Sequence, residues 1–335
     1  MTSSSSGPQV CRATILDVAA AAGVSRQTVT RAMNDMPGIS AATRERVKAL
    51  ATELGYSPSR FAKGLVQGAR TSLGLAIPDL TNPYFPAFAS SVVEEATQQG
   101  WNVVMDDFGH GSGSSLDAVE RLAPHVDAVI GYLGSHAAEA QSVMGRRPVV
   151  VLDDPAAQAA GGILFDYAHA ARLGLERLMR VARTSIAYLD SGPESMLSAR
   201  GAAVAQAAAD LGISLAVVHA SESAEAARYA VESLLGEDPA VDGLLAFNDV
   251  MAAGALKALA ATGRSVPGDC AVIGMDGIPL GVLVTPELTT LSLDLRDVGR
   301  AAVDLLAGLL TGAITAGSPD ARLMLRHELV IRGSA

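Results

Sequence analysis

From residue 71 onward, short apolar runs alternate with Ala-rich segments of helical period, and that alternation leaves few folds open. Runs at 73–77, 103–105, 128–130, 149–152, 163–165, 185–188, 216–219, 243–246 and 271–273 read as strands. Segments such as 86–99, 168–181, 198–211, 224–235 and 249–261 read as helices between them. Strand, helix and strand in repetition build parallel sheets covered on both faces. At least nine strands favour two sheets over one. Residues 71–335 are therefore expected to form two α/β lobes, roughly 71–165 with 296–320 and 166–295 with 321–335. A chain that is 49% hydrophobic and only 18% charged can fill both cores. Ligands of such sheets sit where strand carboxyl ends face a cleft, here the one between the lobes.

The segment ahead of this body has a different character. The whole chain carries −10, which alone argues against a nucleic-acid binder. Residues 11–70, however, hold nine basic side chains (Arg12, Arg26, Arg31, Arg44, Arg46, Lys48, Arg60, Lys63 and Arg70) against Asp17, Asp35, Glu45 and Glu53. That surplus of +5 leaves −15 for the rest. A small cationic head on an anionic body suits a polyanionic partner for the head.

Three short helices are expected within residues 12–57. Thr14 is placed to cap the first, Asp17 lies near the positive end of its dipole, and Ile15, Val18, Ala19 and Ala22 recur at helical spacing. Gly23 can take the positive φ that ends it. Ser25 suits the cap of a second helix over 26–33, with Val29 and Met33 inward. Ser40 suits the cap of a third over 41–54, with Val47, Leu50 and Leu54 inward. Two short helices joined by Ala22-Gly23-Val24 make a helix-turn-helix, and three form the smallest bundle that reads a major groove. The second helix turns Arg26, Gln27, Thr30 and Arg31 outward. Arginine pairs bidentately with guanine and glutamine with adenine, so Arg26 and Gln27 are candidates for base readout, with Arg31 one turn on. Ser25, Thr28 and Asn34 are better placed for phosphates.

The stretch ATILDVAAAAGVSRQTVTRAMND, continued by ISAATRERVKALATELGYSPSRFAKGLVQG, resembles the head of the lactose-repressor (LacI/GalR) family of bacterial transcriptional regulators. The body is similar to the same family and to its periplasmic sugar-binding relatives. The matches are NPYF at 82–85, VVVLDD at 149–154, AFNDVMAAGAL at 246–256, VIGMDG at 272–277, PELTTL at 286–291 and HELVIRGS at 327–334. This resemblance implies an N-terminal all-α helix-turn-helix DNA-binding domain over 12–57 and a hinge helix and linker over 58–70. It implies an α/β periplasmic-binding-protein-like core of two doubly wound lobes over 71–335, which binds an effector and dimerises. Residues 1–11 read as a disordered tail. Thr14 and Arg60 join the expected DNA contacts, and Leu65 takes the place of a leucine that wedges into the minor groove at the operator centre. Gly38 lacks a side chain where some relatives carry a DNA contact.

The same resemblance places effector-binding residues one by one. Tyr84 and Phe85 would line the cleft, with Phe85 as an apolar floor and Phe165 near it. Asp153 would end a strand of the first lobe, and Arg200 matches an arginine that grips the effector. Asn248 and Asp276 would bind ligand hydroxyls from strand ends of the second lobe. Each has a structural alternative: a turn or cap for Asp153 and Asp276, a helix N-cap for Asn248, a surface salt bridge for Arg200. Carboxylates and planar donors around an aromatic suit a sugar. One departure leaves a purine or another small polar metabolite open: many relatives carry an aromatic after the 216–219 strand, where this chain reads HASES and puts Ser223. The segment from Asp106 to Val129 is short and Gly/Ser-rich, so the first lobe's early helix is expected to be reduced.

The resulting expectation is a non-enzymatic, cytoplasmic, homodimeric regulator, by the family's usual mode a repressor. It would bind a pseudo-palindromic operator and respond to a small-molecule effector, without cofactor, metal or membrane association. A symmetric dimer is the physical expectation because one head reads too few bases. The chain ends straight after its last strand, which favours a dimer over a tetramer. Cys11 and Cys270 have no metal-like spacing, the histidines are scattered, and no apolar run spans a bilayer. A periplasmic binding protein would need an export signal and no basic head. A doubly wound enzyme would need a phosphate loop, and GHGSGSS and SGPES follow no such pattern.

Overall fold

A computed structural model describes residues 15–33, 36–54, 70–109 and 113–335. The chain divides into two compact units, one ending at Ser72 and the other running from Leu73 to Ala335.

The first unit holds three helices: α1 (Ile15–Ala22), α2 (Arg26–Met33) and α3 (Ala41–Glu53). They close on a small core of Val18, Ala19, Ala22, Val29, Ala32, Val47 and Ala51. Alanines at the contacts let short helices pack closely. Gly23 takes φ +60 at the α1–α2 turn, and the amide of Val24 donates back to the Ala19 carbonyl. Ser40 caps α3 by accepting from the Thr43 amide. Two inward positions differ from expectation. Leu54 is 38% exposed, because α3 ends at Glu53 and Leu54 is its C-cap, and Ala51 fills the core instead. Ala32 is buried on α2, with Met33 only packed against the rim.

The second unit opens with β1 (Ser72–Ile77), α4 (Tyr84–Gln98), β2 (Asn102–Asp107), α5 (Ser115–Leu122), β3 (Ala128–Gly131), α6 (Ala137–Met144), β4 (Val149–Leu152) and β5 (Gly161–Phe165). It continues with α7 (Tyr167–Arg180), β6 (Ile186–Asp190), α8 (Ala199–Leu211), β7 (Leu215–His219), α9 (Ala224–Glu237), β8 (Gly243–Ala246), α10 (Asp249–Ala261) and β9 (Ala271–Asp276). The last elements are β10 (Thr289–Ser292), α11 (Leu295–Thr311), β11 (Arg322–Leu325) and β12 (Glu328–Val330). Among the described residues these strands form two six-stranded sheets, ordered β11-β5-β4-β3-β1-β2 and β12-β10-β9-β8-β6-β7. Pairs from β11 to β1 and from β10 to β7 are parallel, and β12 is antiparallel to β10. Central strands such as β3, β4 and β8 are buried throughout, as parallel strands under two helical layers must be.

The chain passes between the lobes three times, at 165–167, 292–295 and 325–328. The expected division gave 321–335 to the second lobe, and this is corrected. Arg322–Leu325 pairs in parallel with Gly162–Phe165 in the first sheet, and only β12 joins the second. A four-residue run such as Arg322–Leu325 gives no sign of which sheet edge it completes. The early helix α5 is short, at eight residues, and a reciprocal capping box between Ser114 and Asp117 fixes its start. Among the described residues no helix is long and apolar enough to cross a membrane.

Candidate functional site

The α2 face of the head is built by its cap. Ser25 Oγ accepts from the Thr28 amide at 3.1 Å and pairs with Thr28 Oγ1 at 3.0 Å. Thr30 Oγ1 donates to the Arg26 carbonyl at 3.1 Å. Arg26 and Gln27 are exposed in the first turn, while Val29 and Ala32 on the opposite side are buried. Arg31 is half-buried, and its guanidinium lies against the loop at Gly38, where an added Cβ would meet Nη1 at 3.2 Å. The missing side chain at Gly38 thus makes room for Arg31. The N-terminal end of α2 offers amides, hydroxyls, a guanidinium and a carboxamide on one side, the functional groups that phosphates and base edges accept. Thr14, Asn34, Arg60, Leu65 and the expected hinge helix lie outside the described residues.

In the second unit a cavity of about 240 Å³ lies between the carboxyl ends of the two sheets. Its polar centre is Arg200 at the start of α8. Ser198 caps this helix by accepting from the Gly201 amide at 2.9 Å, and Ser198 itself is held by the buried Asp190. Gly201 is required beside it, since a Cβ there would stand 2.5 Å from Asp190 Oδ2. From this anchored turn Arg200 Nη1 donates to Asp276 Oδ1 at 2.9 Å and to the Phe247 carbonyl at 2.7 Å. Its guanidinium stacks 4.5 Å from the Phe247 ring centre and 5.2 Å from that of Tyr167. Burial opposes the Arg200 charge, yet Tyr167, Asp276 and Asp153 together hold its pKa above the ordinary range. Burial pushes Asp276 up to about 6, with Arg200 pulling it back.

Asp153 faces this pair from the first lobe. Its Oδ2 accepts the Tyr167 hydroxyl at 2.6 Å, and burial raises its pKa while Arg200 lowers it. Asp153 and Asp276 are two of three non-glycine residues with positive φ among those described, at 61° and 116°. Left-handed backbone at β4 and β9 ends turns both carboxylates out of their strands, a cost that functional sites characteristically carry. The opposite wall is aromatic. Tyr84 and Tyr132 share a hydrogen bond at 2.6 Å, and the Phe85 ring stands edge-on to both.

Of the sequence-derived residues, Tyr84, Phe85, Asp153, Arg200 and Asp276 line this cavity together. Phe165 and Asn248 do not. Phe165 shares the face of Ile163, two residues earlier on β5, and packs into the core against Tyr167 and His327. Asn248 is 1% exposed and caps α10, accepting from the Met251 amide at 2.8 Å. Its amide donates to Glu222, which does line the cavity. Ser223 likewise is the cap of α9, not a wall. Aromatic surface comes instead from Phe247, Tyr132 and Tyr167, which sequence reading passed over. Phe247 and Tyr167 could have been found from their places directly after β8 and at the crossover after β5. Among the described residues no group of three His, Cys, Asp or Glu side chains could hold a metal.

Comparison with known proteins agrees with both halves of this geometry. Residues 14–59 match the model of bacterial regulatory proteins of the lacI family, and residues 168–335 match a periplasmic binding protein-like domain. The ribose operon repressor of Halalkalibacterium halodurans is 32% identical over 301 residues, covering 88% of this chain and 89% of that protein. The crystal structure of a LacI family transcriptional regulator from Arthrobacter sp. FB24 in complex with lactose is 62% identical, with TM-score 0.78 over 80% of this chain and 100% of that one. The lac repressor dimer bound to operator and the anti-inducer ONPF is 30% identical, with TM-score 0.71 over 97% of this chain and 99% of that one. The chain belongs to the lacI family of bacterial regulatory proteins.

Proposed function

We propose that the protein is a cytoplasmic, homodimeric repressor that releases or tightens on a pseudo-palindromic operator when a neutral sugar of the lactose type fills the cavity between its lobes. It is a regulator and not an enzyme. The observation that carries the sugar reading is the Arg200–Asp276 pair facing Asp153 across a cavity walled by Phe85, Phe247 and Tyr132. Carboxylates accept paired hydroxyls, the guanidinium donates, and the aromatic rings take the apolar face of a pyranose. The 62% identical neighbour in complex with lactose supports the choice of sugar. The operator-bound lac repressor dimer supports two heads on one duplex.

In this mechanism Arg26 and Gln27 read base edges, Thr30 and Arg31 extend the contact, and Ser25 and Thr28 with the α2 amides hold phosphates. The effector draws Asp153 of one lobe and Arg200 and Asp276 of the other onto a single ligand. It acts through its different affinity for the open and closed arrangements. Selection from randomised duplexes, followed by titration with lactose, tests the proposal. The expected result is a palindromic consensus whose affinity changes at least tenfold with the sugar. Binding without sequence preference at moderate salt, or a thermal transition that lactose leaves unmoved, would overturn it.

A further inference from the structure

The cavity holds three carboxylates, Asp153, Glu222 and Asp276, and one cation, Arg200. Their partners divide them. Asp276 is paired with Arg200, and Asp153 accepts the Tyr167 hydroxyl. Glu222, in the loop between β7 and α9, has neither a cation nor a hydroxyl. Its Oε1 accepts the side-chain amide of Asn82 from the first lobe and that of Asn248 from the second, both at 2.8 Å. Its Oε2 has no hydrogen bond among the described residues. Two neutral amides fix the carboxylate in place without an ion pair; burial raises its pKa, Arg200 and the amides lower it, and Asp79 adds a negative charge nearby. Glu222 is exposed and lines the cavity. Arg200, the one cation among the residues lining the cavity, already has Nη1 engaged by Asp276 and the Phe247 carbonyl.

We infer that Glu222 is a specificity-determining residue, by which the cavity accepts neutral, hydroxyl-rich ligands and turns away phosphorylated or carboxylated sugars. The inference rests on the sugar reading above and narrows it. A hydroxyl can donate to Oε2, whereas a phosphate there meets a like charge that is not ion-paired. Because Glu222 is bonded to both lobes, a ligand hydroxyl on it would sit beside the Asn82 link that joins them.

Calorimetric titration of the full chain with lactose and with lactose 6′-phosphate tests this. Wild type should prefer lactose by well over tenfold, and the preference should shrink between 50 and 500 mM salt, as a charge effect does and a steric one does not. Glu222→Gln keeps the acceptor for both amides and should cut the preference at least threefold by restoring phosphate binding. Asn82→Asp, which can still accept the Tyr84 amide that Asn82 Oδ1 now accepts, adds a carboxylate and should raise the preference. Opposite shifts in two folded variants are not what general damage to the site produces. A preference unchanged in Glu222→Gln, or phosphate binding as tight as lactose in wild type, overturns the inference and leaves the sugar reading standing. Failure of wild type to bind a sugar of either charge overturns the sugar reading, and this inference with it.

Discussion

His327 is 1% exposed, beside Phe165 and Tyr167, and neither ring nitrogen has a hydrogen-bond partner among the described residues. Burial first, and the nearby Arg200 second, depress its pKa from 6.5 to about 3. The unfolded chain therefore takes up a proton below pH 6.5 that the folded chain refuses, and stability falls as pH drops from 6.5 towards 3. His327→Leu should remove about 2 kcal/mol of the loss between pH 7 and 4.5, read by urea denaturation at each pH. Asp249 works in the other direction. It is fully buried at the start of α10, and burial together with Asp276 lifts its pKa to about 7. The folded state holds that proton where the unfolded one has lost it, so this contribution is complete below pH 4 and vanishes as pH rises through 7. Between pH 5 and 8 the stability profile of Asp249→Asn should slope less than that of wild type, whatever its absolute level. Both groups show why single side chains were the hardest feature to read. Their environments are assembled by Thr290, Ile278 and Phe165, far apart in sequence.

At the scale of elements the sequence was most informative where local chemistry decides the outcome. The α1–α2 turn at Gly23, the caps at Ser25 and Ser40, and the buried central strands all follow from neighbouring residues. Misreadings came where topology decides. Nothing in Arg322–Leu325 says that it extends β5, and nothing local brings Phe247 and Tyr132 to the same cavity as Tyr84. The cap of α2 has a separable role from its exposed face. Ser25→Ala should cost the head about 1 kcal/mol and weaken all DNA sequences alike. Arg26→Ala should leave the melting of the head unchanged but relax discrimination at one base position by roughly 1–3 kcal/mol. Calorimetric melting and a competition assay on single-base variants distinguish the two.

For the whole molecule, charge is segregated: +5 in residues 11–70 and −15 in the remainder. Operator affinity should therefore fall steeply with salt, the logarithm of the binding constant declining linearly with that of salt concentration. Removing one phosphate-contacting charge should reduce the slope by about 1. A slope near zero would place the head's cations away from the duplex.

The threefold passage of the chain between the lobes also sets an order of synthesis. α1 to α3 close on one another within Ile15–Glu53, and a ribosome can release them as a foldable piece early. The first sheet stays short of its edge until Arg322–Leu325 emerges, and the second until Glu328–Val330 follows. During translation the head can fold before the effector-binding body is complete, and products truncated before residue 322 would carry a folded head without a finished first sheet.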